Sequence, residues 1–164
     1  MSYDWTKFEC HIFIKAPIEK IFNAWMSERE ITTWYLEKTK LTDSTGRQRS
    51  PEEHCEVGDT YEWKWHGWDY LEKGKIIVIE KNKRIVFTFS HDSVNVELKF
   101  IDHGEEVQCV LTQTDIPTDE KNMVNVHMGC NLGWSFWMVN LKAWLEYGIL
   151  LNDKKIRKPH AINQ

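Results

Sequence analysis

The sequence predicts an α+β fold, a curved antiparallel sheet wrapped around one long C-terminal helix, with two short helices after the first strand. Three observations carry this. Residues 60–114 hold a run of segments that alternate apolar and polar residues between turn-forming clusters, the pattern of a strand meander. "GWSFWMVNLKAWLEY" (133–147) sets Trp134, Trp137, Met138, Leu141, Trp144 and Leu145 on one helical face. Strand-like and helix-like segments are segregated along the chain. Curving the sheet around the helix is an economical way to bury so wide an apolar stripe.

Each element follows in order. "KFECHIFI" (7–14) puts Phe8, Cys10, Ile12 and Ile14 on one parity and reads as a strand. "APIEKIFNAWM" (16–26) carries Ile18, Ile21, Phe22, Trp25 and Met26 at helical spacing, with Pro17 suited to a first turn. "SERE" (27–30) has the form of a capping box opening a second short helix with Ile31, Trp34 and Tyr35. Residues 42–59 are polar, hold Gly46, Pro51 and Gly58, and read as an exposed loop. Strands are expected at about 60–67, 71–80, 83–90, 93–102 and 105–114, with turns at 80–84 and 102–106. "PTDEKN" (117–122) ends the sheet, and the main helix is expected to start near Gly133. The division is one domain over 1–150 and a basic polar tail over 151–164.

Composition narrows the function. The chain has 164 residues, 41% hydrophobic and 28% charged, enough for one domain with a substantial core. A net charge of −4 argues against nucleic acid as the main partner. No stretch approaches the roughly 20 apolar residues of a membrane span. The N-terminal residues lack a basic region followed by an apolar run, so no secretory leader is expected. Cys10, Cys55, Cys109 and Cys130 show no close paired spacing, which fits reduced thiols in a cytoplasmic protein.

The strongest local signal is "YEWKWHGWDY" (61–70). Tyr61, Trp63 and Trp65 share one parity, and Glu62, Lys64 and His66 the other, so one strand face is a row of rings. The nine Trp of the chain imply a roomy interior or an interaction surface. Phe87, Phe89, Val96, Leu98 and Phe100 fall on the matching face of later strands. These rings either meet Trp134, Trp137 and Leu141 and fill the interior, or leave a cavity. Trp68 and Tyr70 lie past Gly67, where a bend aims a ring at a pocket mouth or leaves one cross-strand contact.

The ordered set of segments resembles the START-like, or Bet v-like (SRPBCC), superfamily, nearest its branch of activator of heat-shock-protein-90 ATPase homologues. The resemblance rests on Ala16, Glu19, Trp25, Glu28 and Trp34 within 14–35, on "VGDTYEWKW" (57–65), and on "LEKGKIIVIEKNKRIVFTFS" (71–90). It closes with His127, Gly133, Trp134 and Leu141 of 127–148, and departs from the pattern in the more polar 42–56. It implies a helix-grip fold with a cavity between sheet and last helix. It also implies non-enzymatic binding of a small hydrophobic or aromatic molecule, a chaperone-activating interaction module, or an aromatase- or cyclase-like enzyme. The expected cavity residues are Trp34, Tyr61, Trp63, Trp65, Phe87, Phe89, Leu98, Phe100, Trp134, Trp137, Met138 and Leu141. A ligand burying ~300 Å² of apolar surface would gain about 7 kcal/mol before binding costs, which allows micromolar affinity at best.

Catalytic and metal chemistry find little. His127/Cys130, Cys10/His11 and His54/Cys55 are the His–Cys neighbours, and none has zinc-site spacing. No nucleophile motif occurs. An enzyme would draw on His127, Gln113 or Tyr147. Glu62 and Glu97 fall on the outer parity. The expectation is no catalytic residue, no metal and no cofactor. The expected partners are a small apolar molecule and a chaperone, with the chain a monomer or homodimer. An interaction surface would use the 42–56 loop, the tail and Trp5.

Overall fold

A computed structural model describes residues 3–155. Seven strands form one antiparallel sheet: β1 (Phe8–Ile14), β2 (Lys38–Thr42), β3 (Thr60–Lys64), β4 (Leu71–Glu80), β5 (Arg84–Phe89), β6 (His91–Asp102) and β7 (Val107–Thr114). Their spatial order is β1-β7-β6-β5-β4-β3-β2. Helices α1 (Ile18–Asn23) and α2 (Glu28–Trp34) follow β1. The C-terminal helical path opens with one turn, α3 (Glu120–Asn122). It widens into a π-helical segment (Met123–Met128) and continues as α4 (Gly129–Tyr147).

Period-two alternation sets the inner face. Ile85 and Phe87 of β5, Val94, Val96, Leu98 and Phe100 of β6, and Cys109 and Leu111 of β7 are all buried. The opposite parity carries charge: Glu62 meets Lys73 at 2.8 Å, and Glu97 meets Arg84 and Lys99. Against the inner face lie Trp134, Trp137, Met138, Leu141 and Leu145 of α4, all buried. Polar ties fix the helix. The Asn140 amide donates to Trp34 O at 2.7 Å, Lys142 Nζ donates to Phe13 O, and Glu146 accepts from Lys15 N at 2.7 Å.

β4 bends the sheet. Leu71–Lys75 pair with β3, while Ile76–Glu80 pair with β5 across a register shift. At the bend Tyr61 stands opposite Gly74 and lays its ring over the glycine, its hydroxyl donating to Thr88 O at 2.6 Å. A Cβ on residue 74 would run into Thr88 O and the Tyr61 ring, so only glycine fits this crossing.

The structure departs from the sequence expectations in definite places. β2 was not expected; "KTKLT" puts only Thr39 and Leu41 inward between exposed lysines, a guarded edge strand without an apolar signal. The loop 42–59 is not wholly exposed: Arg49 and Asp59 form a buried bidentate ion pair, and Cys55 is buried. The first helix is shorter than 16–26. β3 stops at Lys64, and the chain bends at Gly67, where φ is 73°. Ser27 caps α2 as the box predicts, accepting from Glu30 N at 3.3 Å. Gly133 does not start the main helix. Asp119 caps the helical path by accepting from Asn122 N, so α4 is entered already coiled and Gly133 lies inside it. At the tail, Leu151 N donates to Asn140 Oδ1 at 2.6 Å and Asn152 donates to Tyr35 O. The rest of the predicted tail, 156–164, lies outside the described residues.

Candidate functional site

The interior between sheet and α4 is closed at one end and open at the other. At the closed end Tyr61 stacks on Trp63 at 4.2 Å, and Trp63 meets Phe87 at 5.4 Å and Trp137 at 5.5 Å. Trp25 stacks on Trp137 at 5.7 Å, and Trp34 stands edge-on to both. Only a gap of about 20 Å³ remains beside Trp63.

Two residues further along the chain, just past the end of β3, the packing opens. A cleft of about 310 Å³ is lined by Trp65, Phe89, Trp134, Trp137 and Tyr35, with Trp68 and Tyr70 at its mouth. Cys130, Gly129, Gly133 and Asn125 form the helical wall, and Glu72 and Ser90 face it from the sheet. Local backbone makes the opening. Gly67 turns the chain so that Trp68 and Tyr70, 48% and 54% exposed, stand at the rim. Gly133 has no side chain, and a Cβ there would meet nothing within 4 Å. The π-helical segment sets the chain's approach to this wall, and π turns recur at functional sites. Ser90 holds a left-handed φ of 69°, which directs its N–H onto Glu72 Oε1 at 2.7 Å.

Of the residues expected around the cavity, the cleft brings together Trp65, Phe89, Trp134 and Trp137. Tyr61 and Trp63 border the small gap at the closed end and do not line the cleft. Trp34, Phe87, Leu98, Phe100, Met138 and Leu141 are packed in the core and do not line the cleft. Tyr35, Glu72, Ser90 and Cys130 line it unanticipated. For Glu72 a signal existed: it shares parity with Gly74 and the buried Ile76 and stands opposite Trp63.

The three residues considered for catalysis do not converge. His127, in the π-helical segment, is buried away from the cleft, beside Phe8, Trp5 and Tyr3, with Nε2 at 3.0 Å from Lys7 O. Gln113 is buried on β7, where Oε1 accepts from Trp134 Nε1 at 2.8 Å. Tyr147 is 70% exposed. Trp5, considered as an outward ring, packs against Tyr3 and His127. Burial pushes the Cys130 thiol up to about 11 and the Tyr70 hydroxyl up to about 12, the latter helped by its hydrogen bond to Glu72. Burial also raises the Tyr35 phenol. All four cysteines are free, and among the described residues no group of three or more His, Cys, Asp or Glu is placed to hold a metal ion. No helix among them is long and apolar enough to cross a membrane.

A sheet gripping a long C-terminal helix, with a cleft at one end of their interface, defines the helix-grip class of START-like proteins. Within it, residues 15–146 match the model of the family described as activator of Hsp90 ATPase homolog 1-like protein, and the chain belongs to that family. Solved structures agree on the fold. A Staphylococcus saprophyticus protein superposes with a TM-score of 0.67 at 20% identity, over 88% of this chain and 94% of its own. The Aha1 dimer from Colwellia psychrerythraea gives 0.67 at 17% identity, over 87% of this chain and 97% of its own. DynU16, from the dynemicin biosynthetic locus, gives 0.65 at 14% identity, over 87% of this chain and 48% of its own. No curated protein matches the sequence.

Proposed function

We propose that this chain is a single domain that binds a small hydrophobic or aromatic molecule without transforming it, in the open-ended cleft between the sheet and α4. The observation that carries the reading is the cleft itself: about 310 Å³, walled by Trp65, Phe89, Trp134 and Trp137, beside an interior that rings otherwise fill. This is the size and lining of small-molecule sites. The catalytic candidates support the non-enzymatic form, because none of them lines the cleft. Quenching of tryptophan fluorescence by a naphthalene-type probe tests it. The expected result is saturable micromolar binding that Trp65→Ala weakens. No saturable quenching by any apolar probe overturns it.

A second reading, a chaperone-associated module of the stress response, rests on the family description and on the Aha1 relative. Self-association belongs to the same reading, since that relative was solved as a dimer. It predicts a raised chaperone ATPase rate on mixing, and an unchanged rate removes it. An aromatase- or cyclase-like activity would have to use Glu72, Tyr70 or Cys130, the polar groups of the cleft wall.

A further inference from the structure

The cleft is not uniformly apolar, and its one carboxyl group is placed unusually. Glu72 is 4% exposed, on the inner face of β4, among the aromatic residues of the cleft. Among the described residues its hydrogen-bond donors are the Ser90 N–H at 2.7 Å and the Tyr70 hydroxyl at 2.9 Å, both neutral. No ion pair among the described residues reaches it. Its neighbour Lys73 points to the opposite face and pairs with Glu62 at 2.8 Å. Buried acids elsewhere in the chain are treated differently: Asp59 has a bidentate arginine. A buried carboxyl group without a cation lacks the partner that such groups normally carry.

Around this group stand Trp65, Trp68, Tyr70, Phe89, Trp134 and Trp137. Trp65 and Tyr70 lie nearly parallel at 6.4 Å, and Trp137 stands 6.2 Å from Trp65 at a steep angle. Aromatic faces attract cations through their quadrupole, most strongly where water is excluded, and a carboxylate adds a directed charge. A neutral hydrocarbon gains nothing from Glu72, and an anion is repelled by it. We infer that the cleft selects organic cations, meaning an alkylammonium or protonated amine on an apolar body, with the ammonium beside Glu72 and the body against Trp134 and Trp137. This rests on the binding function proposed above and names its ligand class. Rim and depth fit the assignment. Trp68 and Tyr70 stand where a ligand would enter, and Tyr70 holds the Glu72 Oε2 that would meet it.

The test compares shape-matched probes by calorimetry on the full chain: benzyltrimethylammonium, its neutral carbon analogue neopentylbenzene, and the anion 4-tert-butylbenzoate. The expected order is cation over neutral by about tenfold, with the anion weakest. Glu72→Gln should bring cation and neutral to within about twofold of each other while leaving the neutral probe's affinity in place. Because Glu72 also holds Ser90 and Tyr70, a second variant, Trp68→Ala, covers the case in which the first fails to fold. Trp68 is half exposed, so its removal should leave the thermal midpoint in place and weaken the cation about fivefold, more than the neutral probe. A neutral probe that binds the native chain as tightly as the cation overturns the inference and leaves the cleft reading standing. So does a cation preference that survives Glu72→Gln or is untouched by Trp68→Ala. Failure of all three probes to bind overturns both.

Discussion

Trp63 and Trp65 are two residues apart and on the same parity, the first inside β3 and the second just past its end, and they meet different surroundings. Trp63 has rings on every side: Tyr61 stacked on it, Phe87 and Trp137 across the interior. Trp65 is only partly buried and borders the cleft with Phe89, Trp137 and the rim residue Tyr70. The difference lies in what opposes them. Trp63 faces the side of Trp137 on which Trp25 and Trp34 also converge. Trp65 faces Gly133 and Gly129, which send nothing into the space. An alternating pattern fixes which side chains point inward, and the opposing wall decides whether they pack or line.

The largest effect is expected at the closed end. Trp63→Ala should cost ~3–5 kcal/mol, because the removed ring leaves a void among immobile neighbours. Urea unfolding measures this. A loss below about 1 kcal/mol would mean that the closed end is not packed as described. Gly74→Ala comes next. Its Cβ would meet backbone at Thr88 and the buried Tyr61 ring, so relief requires moving the sheet bend, at a cost of about 1–3 kcal/mol. Trp65→Ala should cost less than Trp63→Ala, about 1–2 kcal/mol, since one side of the ring already borders open space. It should nonetheless affect probe binding far more.

Gly133→Ala sharpens the contrast by reversing a sign. The site is helical and its Cβ direction is empty, so alanine should stabilise the helix by roughly 0.5–1 kcal/mol. The same methyl enters the cleft wall, so probe affinity should fall. A stabilised protein with unchanged binding would show that the cleft does not use this wall. The smallest effect is chemical. Burial raises the Cys130 thiol to about 11, so its thiolate is scarce at neutral pH and increases as pH rises towards that value. Alkylation of Cys130, followed by mass spectrometry, should therefore be slow at pH 7 and quicken with pH. It should slow again when a probe fills the cleft.

Sequence reasoning reached the fold further than the site, for physical reasons. Alternation is a strong signal where one face is buried, so the inward set from Ile85 to Leu111 and the stripe on α4 were legible. β2 was not, because an edge strand guarded by lysines carries two inward residues and no apolar run. The Arg49–Asp59 pair inside the polar loop was equally hidden: composition reports charge, and the pairing of two charges across ten residues depends on how the loop folds. Among the cavity candidates, Trp65 and Trp63 have the same sequence character, and what separates them is a glycine wall contributed from seventy residues away. Glu72 sat on the inward parity in plain view. An acidic residue at a strand's start reads as a solvated end, and only the bend after Gly67 and the left-handed Ser90 close the structure around it.

The pairing of β1 with β7 has a consequence in time. Phe8 stands beside Gln113, and the first strand is also tied to the last helix through Lys15 N to Glu146 and Phe13 O to Lys142. A ribosome releases the first strand long before either partner exists. Until residues near 146 have emerged, the rings of Tyr61 and Trp63 on β3 have no helix to rest on. The nascent chain must carry that exposed surface through most of its synthesis, and contacts this distant in sequence form slowly. Chains arrested before the last helix should be the form that aggregates, and the final turns of α4 the point at which the protein becomes safe to release.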